Sequence, residues 1–262
     1  MPTYALLGAT GQCGSAILRC FLEEPPKGHV TVNAFVRNKT KLQKQFPNLE
    51  QATGVTINII VGTPDQQEPL RRALKGVEVV FQCIATNESK STNHIVEDSS
   101  SAVIEALNYL RKDQGPSYIT PTVLMLRSVS LDERYIAQTP WLVHWFLMFC
   151  LHYAYLDIDR GCKLIERTAT EMPGLLEYVH VDPPAIHDPE GTKRTGHKLM
   201  LDGMPTQTVS YADLGAAFRE LAEYRGKYSG KEVGVSATGE VKQTWGILMG
   251  YLFWGAVARV TG

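Results

Sequence analysis

The turn near the start of the chain constrains it most. An apolar stretch, Tyr4-Ala5-Leu6-Leu7, runs into Gly8-Ala9-Thr10-Gly11-Gln12-Cys13-Gly14 and then into the helical pattern Ser15-Ala16-Ile17-Leu18-Arg19-Cys20-Phe21-Leu22. Three glycines between a strand and a helix meet three needs. Gly8 permits the tight turn, Gly11 lets a pyrophosphate approach the backbone, and Gly14 lets the helix lie close to the strand. The unpaired N–H groups of the helix start then face the anion. Thr10, Gln12 and Cys13 stand in the same turn, so they join Gly8, Gly11 and Gly14 as cofactor-binding candidates. Glycine-rich turns also arise for backbone reasons alone, and the next strand decides between the two.

That second apolar strand spans residues 30–36 and ends in Arg37-Asn38, where a dinucleotide-binding unit places its ribose-reading side chain. An acid at that point selects NAD. Arg37, with Lys39 and Lys41 behind it, instead matches the 2′-phosphate of NADP through charge-assisted hydrogen bonds. Arg37, Asn38 and Lys41 are therefore cofactor candidates, against the plainer reading of a solvated basic loop.

Beyond Arg37, apolar strands alternate with helical stretches. Residues 39–51 read as a polar helix or loop, 55–62 as a strand, 69–74 as a short crossover helix stopped at Gly76, and 77–85 as a fourth strand. Ala85, Thr86 and Asn87 close that strand, where the ribose and nicotinamide of a bound cofactor would lie. A helical period over 93–112 leads to a fifth strand at 122–128, whose exit Ser128-Val129-Ser130 brings hydroxyls to the same edge as the glycine turn. A sixth strand at 175–181 ends in Asp182-Pro183-Pro184-Ala185-Ile186-His187, and 188–197 read as a flexible polar loop. The alternation predicts an α/β fold, a Rossmann-type doubly wound parallel sheet. The whole of 1–262 reads as a single NAD(P)-binding domain in which residues from about 182 onward form a small substrate-side lobe.

Composition sets outer limits. With 262 residues, 44% of them hydrophobic, the chain can bury a large core. A net charge of −1 without a clustered basic surface argues against nucleic acid as a partner. Five widely spaced cysteines, Cys13, Cys20, Cys83, Cys150 and Cys162, show no spacing suited to zinc and fit reduced thiols. No basic segment precedes the short first apolar run, so a secretory signal is not visible and a cytoplasmic protein is expected.

The glycine turn, Val36-Arg37-Asn38 and the serine-bearing fifth strand together resemble an atypical short-chain dehydrogenase/reductase of the NmrA-like branch. Val209-Ser210-Tyr211-Ala212-Asp213-Leu214-Gly215-Ala216-Ala217 resembles the late helix start of that group, and Val233-Gly234-Val235-Ser236 its final strand. Length and tail are similar to fungal accessory reductases of aromatic polyketides, of the averufin oxidase A type. The resemblance implies a serine on the fifth strand and a Tyr-x-x-x-Lys on the next helix, with the lysine lowering the tyrosine pKa so that it exchanges a proton near neutrality.

Here the pattern departs. Tyr155 is followed at the lysine position by Asp159, and Tyr153 by Asp157, while the nearest lysine, Lys163, comes a turn too late. A carboxylate beside a phenol disfavours its ionisation. Catalytic candidates are therefore Ser128, Tyr155 and Tyr153, with Asp182 and His187 as replacements for the missing acid–base partner. The alternative is a substrate that supplies its own acid–base activation while the protein orients hydride transfer. Tyr153 and Tyr155 also read as ordinary packing residues, and His187 as a satisfied loop histidine.

Two further stretches are strongly apolar. The helix beginning near Pro140 carries Trp141, Trp145, Phe149 and His152 on one face. That face suits core packing, subunit packing in a homodimer, or the aromatic wall of a pocket for a flat hydrophobic substrate. The tail over 245–260 has Gly246 and Gly250 in the spacing of a membrane-helix dimer motif but is too short for a bilayer span, so a helix docked on the substrate-side lobe is expected. Three functions remain open: an NADP-dependent oxidoreductase acting on a hydrophobic, aromatic small molecule, a non-redox isomerase or cyclase on the same fold, and an NADP-sensing binding protein.

Overall fold

The structure, a computed structural model, describes residues 1–25, 28–86 and 88–261. Asn87 therefore lies outside the described residues. In chain order the elements are β1 (Thr3–Leu7), α1 (Gln12–Glu23), β2 (Val30–Val36), α2 (Lys39–Gln45), β3 (Val55–Val61), α3 (Gln67–Leu74), β4 (Val79–Gln82), α4 (Ile95–Gln114), β5 (Thr122–Leu126), α5 (Glu133–Ile136), α6 (Trp141–Cys150), α7 (His152–Glu171), β6 (Glu177–Asp182), β7 (Ala185–His187), β8 (His197–Met200), β9 (Thr208–Ser210), α8 (Tyr211–Glu223), α9 (Arg225–Tyr228), β10 (Lys231–Ala237) and α10 (Trp245–Thr261).

Eight strands form one sheet in the order β3-β2-β1-β4-β5-β6-β10-β8. All pairs are parallel except the edge pair β10–β8. β7 and β9 make a separate parallel pair. The strand order reverses between β1 and β4, the switch point at which open α/β sheets leave a crevice at their carboxyl ends.

The parallel strands are apolar at consecutive positions because both faces are covered. In β1, Tyr4 and Leu6 point into a core shared with α1 and α8, whereas Ala5 and Leu7 point into a second core under α3, α4 and α7. The first core holds a chain of rings, Tyr4, Phe21, Phe81 and Phe218, with centroids 5.7 to 6.2 Å apart. One of the buried polar side chains of this sheet bridges its neighbours. Buried Asn33 of β2 donates to the Ala73 carbonyl at the end of α3 and accepts from Asn58 of β3.

The doubly wound sheet is as the sequence predicts, apart from strand bounds that shift by one or two residues and four larger differences. The fourth strand ends at Gln82 instead of 85, because the Cys83 carbonyl packs against the turn at Gly8. The apolar helix predicted to begin near Pro140 breaks at Leu151 into α6 and a separate twenty-residue α7 that carries both tyrosines. The polar stretch 188–197 yields, at its end, edge strand β8, and β7 and β9 likewise leave no mark in the sequence pattern. Finally, α10 docks with Gly255 against the Cys150 carbonyl of α6, so its main support lies outside the lobe beyond residue 182. No helix among the described residues is long and apolar enough to cross a membrane.

α8 starts where its motif implies. Ser210 caps it by accepting from the Asp213 N–H, and the Asp213 carboxylate in turn accepts from the Thr195 and Gly196 N–H groups at the entry to β8. α8 then crosses α1 so closely that a Cβ on Gly215 would lie 2.5 Å from the Ala16 carbonyl oxygen. That obstacle is backbone and cannot swing aside. Gly215→Ala is expected to cost about 2 kcal/mol through overpacking, lowering the midpoint of thermal unfolding by roughly 4–8 °C in a calorimetric scan.

Candidate functional site

The carboxyl ends of β1, β2, β4 and β5 gather the residues that the sequence singles out. At β1, Gly8 has a φ of 85°, and a Cβ there would meet the Cys83 carbonyl oxygen at 2.9 Å. At Gly14 a Cβ would sit 2.2 Å from the Gly8 carbonyl oxygen, so the first turn of α1 lies directly on the end of the strand. Gly11 differs: its only neighbour would be the Gly8 carbonyl oxygen at 3.3 Å, and the residue is exposed. No side chain caps α1, which leaves its first N–H groups available to an anion. Thr10 and half-buried Cys13 complete the turn, and the Gln12 amide oxygen accepts from the Tyr211 hydroxyl at 2.8 Å.

At the end of β2, Arg37 is exposed. Among the described residues, Arg37, Lys39, Lys41 and Lys44 make no ion pair. Asn38 caps α2 by accepting from the Lys41 N–H at 3.0 Å. Asn38, Thr40, Lys41, Lys44 and Gln45 line a cleft of about 440 Å³, and Gln45 reaches back to the Thr10 carbonyl. Unpaired cations beside an uncapped glycine turn fit an anionic dinucleotide. After β4, exposed Ala85 and half-buried Thr86 lie on an irregular segment, where Thr86 accepts from the Glu88 N–H. Buried Ser89 accepts from the Tyr153 N–H at 3.2 Å and so ties this segment to the start of α7.

The structure brings Ser128 and Tyr155 together, with 3.3 Å between Oγ and the phenol oxygen. Ser128 Oγ also accepts from the Ser130 N–H. The carboxylates that follow the two tyrosines are committed elsewhere. Asp157 accepts from the Val96 and Glu97 N–H groups and so caps α4, and Asp159 pairs with Lys163 at 2.7 Å on the surface of α7. No cationic side chain contacts the Tyr155 hydroxyl among the described residues. Tyr153 stands apart from the pair, its ring against His152 and under the Arg259 guanidinium at 5.5 Å.

Asp182 and His187 are both buried and engaged by other groups. Asp182 is fully buried, and each of its oxygens accepts from Arg127 at 2.7 Å. Arg127 also donates to Glu232 at 2.7 Å, and Asp132 and Arg134 extend the network. These contacts lace the ends of β5, β6 and β10 beneath Ser128. Burial pushes the Asp182 carboxyl up to about 6 against the pull of Arg127. His187 is buried, and its Nδ1 accepts from the Thr244 N–H at 2.8 Å while its ring meets Trp245 edge-on. Burial lowers its pKa. The ring therefore stands neutral and anchors the start of α10. Sequence reasoning missed Arg127, Ser89, Gln45 and Tyr211. Of these, only Arg127, charged inside an apolar strand and next to Ser128, carried a local signal.

Asp182→Asn is expected to fail as a chemical test and register as a stability one. Breaking the buried pair should cost about 3 kcal/mol and lower the unfolding midpoint by roughly 6–12 °C, with dinucleotide affinity unchanged below the transition. A variant of unaltered midpoint that has lost turnover would return Asp182 to the chemistry.

Comparison with known proteins agrees with this geometry. A family model described as NAD(P)H-binding matches residues 8–116. Averufin oxidase A of Dothistroma septosporum is 46% identical over 265 residues, spanning 99% of this chain and 92% of its own. Averufin oxidase A of Aspergillus flavus is 41% identical over 260 residues, spanning 99% of this chain and 91% of its own. Among solved structures, a short-chain dehydrogenase/reductase from Veillonella parvula in complex with NADP superposes with a TM-score of 0.62 at 20% identity, covering 91% of this chain and 95% of that one. That likeness shows the Rossmann fold alone. The chain is thus an oxidoreductase with a nicotinamide-cofactor domain, and it belongs to the averufin oxidase family of NAD(P)H-binding proteins.

Proposed function

We infer that the protein is an NADP-dependent oxidoreductase that moves a hydride to or from a conjugated carbonyl system in a hydrophobic, aromatic small molecule of secondary metabolism. The observation that carries this reading is the Ser128–Tyr155 contact at the carboxyl edge of the sheet, two hydroxyls 3.3 Å apart that can both donate to one substrate oxygen. The aromatic substrate class rests on the relatives named averufin oxidase and on the resemblance to reductases of aromatic polyketides. The choice of NADP rests on exposed Arg37 with Lys41 and Lys44 nearby.

In this reading the glycine turn and the start of α1 would hold the pyrophosphate, Arg37 and Lys41 would hold the 2′-phosphate, and Ala85 and Thr86 would border the ribose and nicotinamide. The bound nicotinamide supplies or accepts the hydride. Ser128 and Tyr155 fix the substrate oxygen by hydrogen bonds. With Lys163 held by Asp159, Tyr155 has no cation to favour its phenolate and acts as a hydrogen-bond donor. A conjugated substrate makes that sufficient. Hydride delivered to a quinone-like carbonyl leaves the charge on a phenol-type oxygen, whose conjugate acid has a pKa near that of tyrosine, about 10, so water can complete the protonation. A saturated ketone would leave a far more basic alkoxide and would need an activated acid.

The test monitors reduced-nicotinamide absorbance with a panel of quinones and hydroxyaromatic ketones. Tyr155→Phe and Ser128→Ala should each lower kcat/KM about tenfold, short of the hundred- to ten-thousand-fold typical of losing a general acid–base residue. A collapse beyond that range in Tyr155→Phe alone would show a tyrosine activated by another partner. NADPH binding with no oxidation by any acceptor would overturn the redox reading in favour of a sensor or isomerase.

A further inference from the structure

α6 and α10 present a surface that the chain does not cover. Each helix is apolar on nearly every side, yet Cys150 is the only buried residue of α6 and Gly255 the only one of α10, at the point where the two helices touch. A helix apolar all round belongs in an interior. Instead Trp141, Trp145 and Phe146 of α6 and Trp245, Phe253 and Trp254 of α10 are each between 45% and 77% exposed. At about 200 Å² per aromatic side chain, these six rings alone expose on the order of 700 Å². Aliphatic neighbours such as Met249 and Val260 enlarge the face further. The largest apolar patch on a typical monomer is about 300–600 Å², whereas a standard protein–protein interface takes about 800 Å² from each partner.

The geometry points to a second copy of this chain as the occupant, joined through a two-fold axis that lays α6 and α10 of one protomer on α6 and α10 of its partner. Area is the first argument, since the apolar surface that the two helices together leave exposed approaches what one side of a stable dimer buries. Composition is the second. α6 carries no Asp, Glu, Lys or Arg, and α10 carries Arg259 alone, a pattern of aromatic enrichment and charge depletion that marks the core of an interface between proteins. A lipid surface fits less well, because helices that lie in a membrane interface pair their apolar face with a strongly charged one rich in Lys and Arg. Self-complementarity is the third argument, for an apolar surface almost without charge meets no electrostatic penalty against its own copy under two-fold symmetry. The dimer also holds α10 in place, and with it the Thr244 contact to His187 and the Arg259 contact to Tyr153.

The test is the mass of the full chain in solution at micromolar concentration, by light scattering on a sizing column. Wild type should elute at twice the 29.1 kDa chain mass. Trp145→Asp combined with Phe253→Asp, both at exposed positions, should elute at the single chain mass with an unchanged far-ultraviolet circular dichroism spectrum. Ile119→Asp, exposed at the opposite end of the sheet, should remain dimeric. A monomeric wild type, a double variant that stays dimeric while folded, or a wild-type monomer that floats with phosphatidylcholine/phosphatidylserine vesicles would each overturn the proposal. An unfolded double variant would be replaced by Trp141→Ser with Trp254→Ser, on which the same two masses decide.

Discussion

The close seating of α1 on the end of β1 is the constraint around which the rest is arranged. The Gly14 backbone lies against the Gly8 carbonyl with no room for a Cβ, and this points the open N–H groups of α1 at the crevice between β1 and β4. The packing of the first face depends on that placement. α8 can reach α1 only through Gly215, and the ring chain Tyr4, Phe21, Phe81 and Phe218 fills the space between them. The same placement brings the Cys83 carbonyl against Gly8, which ends β4 early and turns the segment bearing Ala85 and Thr86 along the mouth of the crevice.

On the far side of the crevice the organising contact is ionic. Arg127 stands one residue before Ser128 and binds Asp182 with both oxygens and Glu232 with one. Joining the carboxyl ends of β5 and β6 to the start of β10 through a single guanidinium holds the backbone next to Ser128 in place. A buried pair of this kind adds little net stability over apolar packing, but its rupture is costly because a charge is then left behind without a partner. Specific placement of the serine beside Tyr155 is what the network contributes. In the proposed function, the lack of a cation at Tyr155 among the described residues moves the remaining burden to the substrate, and a conjugated carbonyl is the chemistry that would carry it.

Features encoded over a few consecutive residues are legible in the chain itself. The glycine turn, Arg37 at the end of β2, Ser128 at the end of β5 and the cap Ser210 with Asp213 all act through neighbours within one turn of chain, so their spacing states their geometry. Tyr155 is legible because one α-helix carries the tyrosine and the misplaced lysine together. Asp182 and His187 look chemical for the opposite reason. Their partners, Arg127 at a distance of 55 positions and Thr244 at 57, are invisible to local pattern. β7, β8 and β9 are three or four residues long, too short for an alternating pattern to register, and the Leu151 break lies inside an unbroken apolar run.

A site for a phosphorylated dinucleotide is tested most directly by a fluorescence titration of NADPH and NADH against wild type and Arg37→Ala. Charge-assisted hydrogen bonds of about 1.5–3 kcal/mol predict that wild type binds NADPH roughly ten- to hundredfold more tightly, and that Arg37→Ala loses most of that preference while its affinity for NADH stays the same. Equal affinities in wild type, or a preference that survives Arg37→Ala, would contradict it.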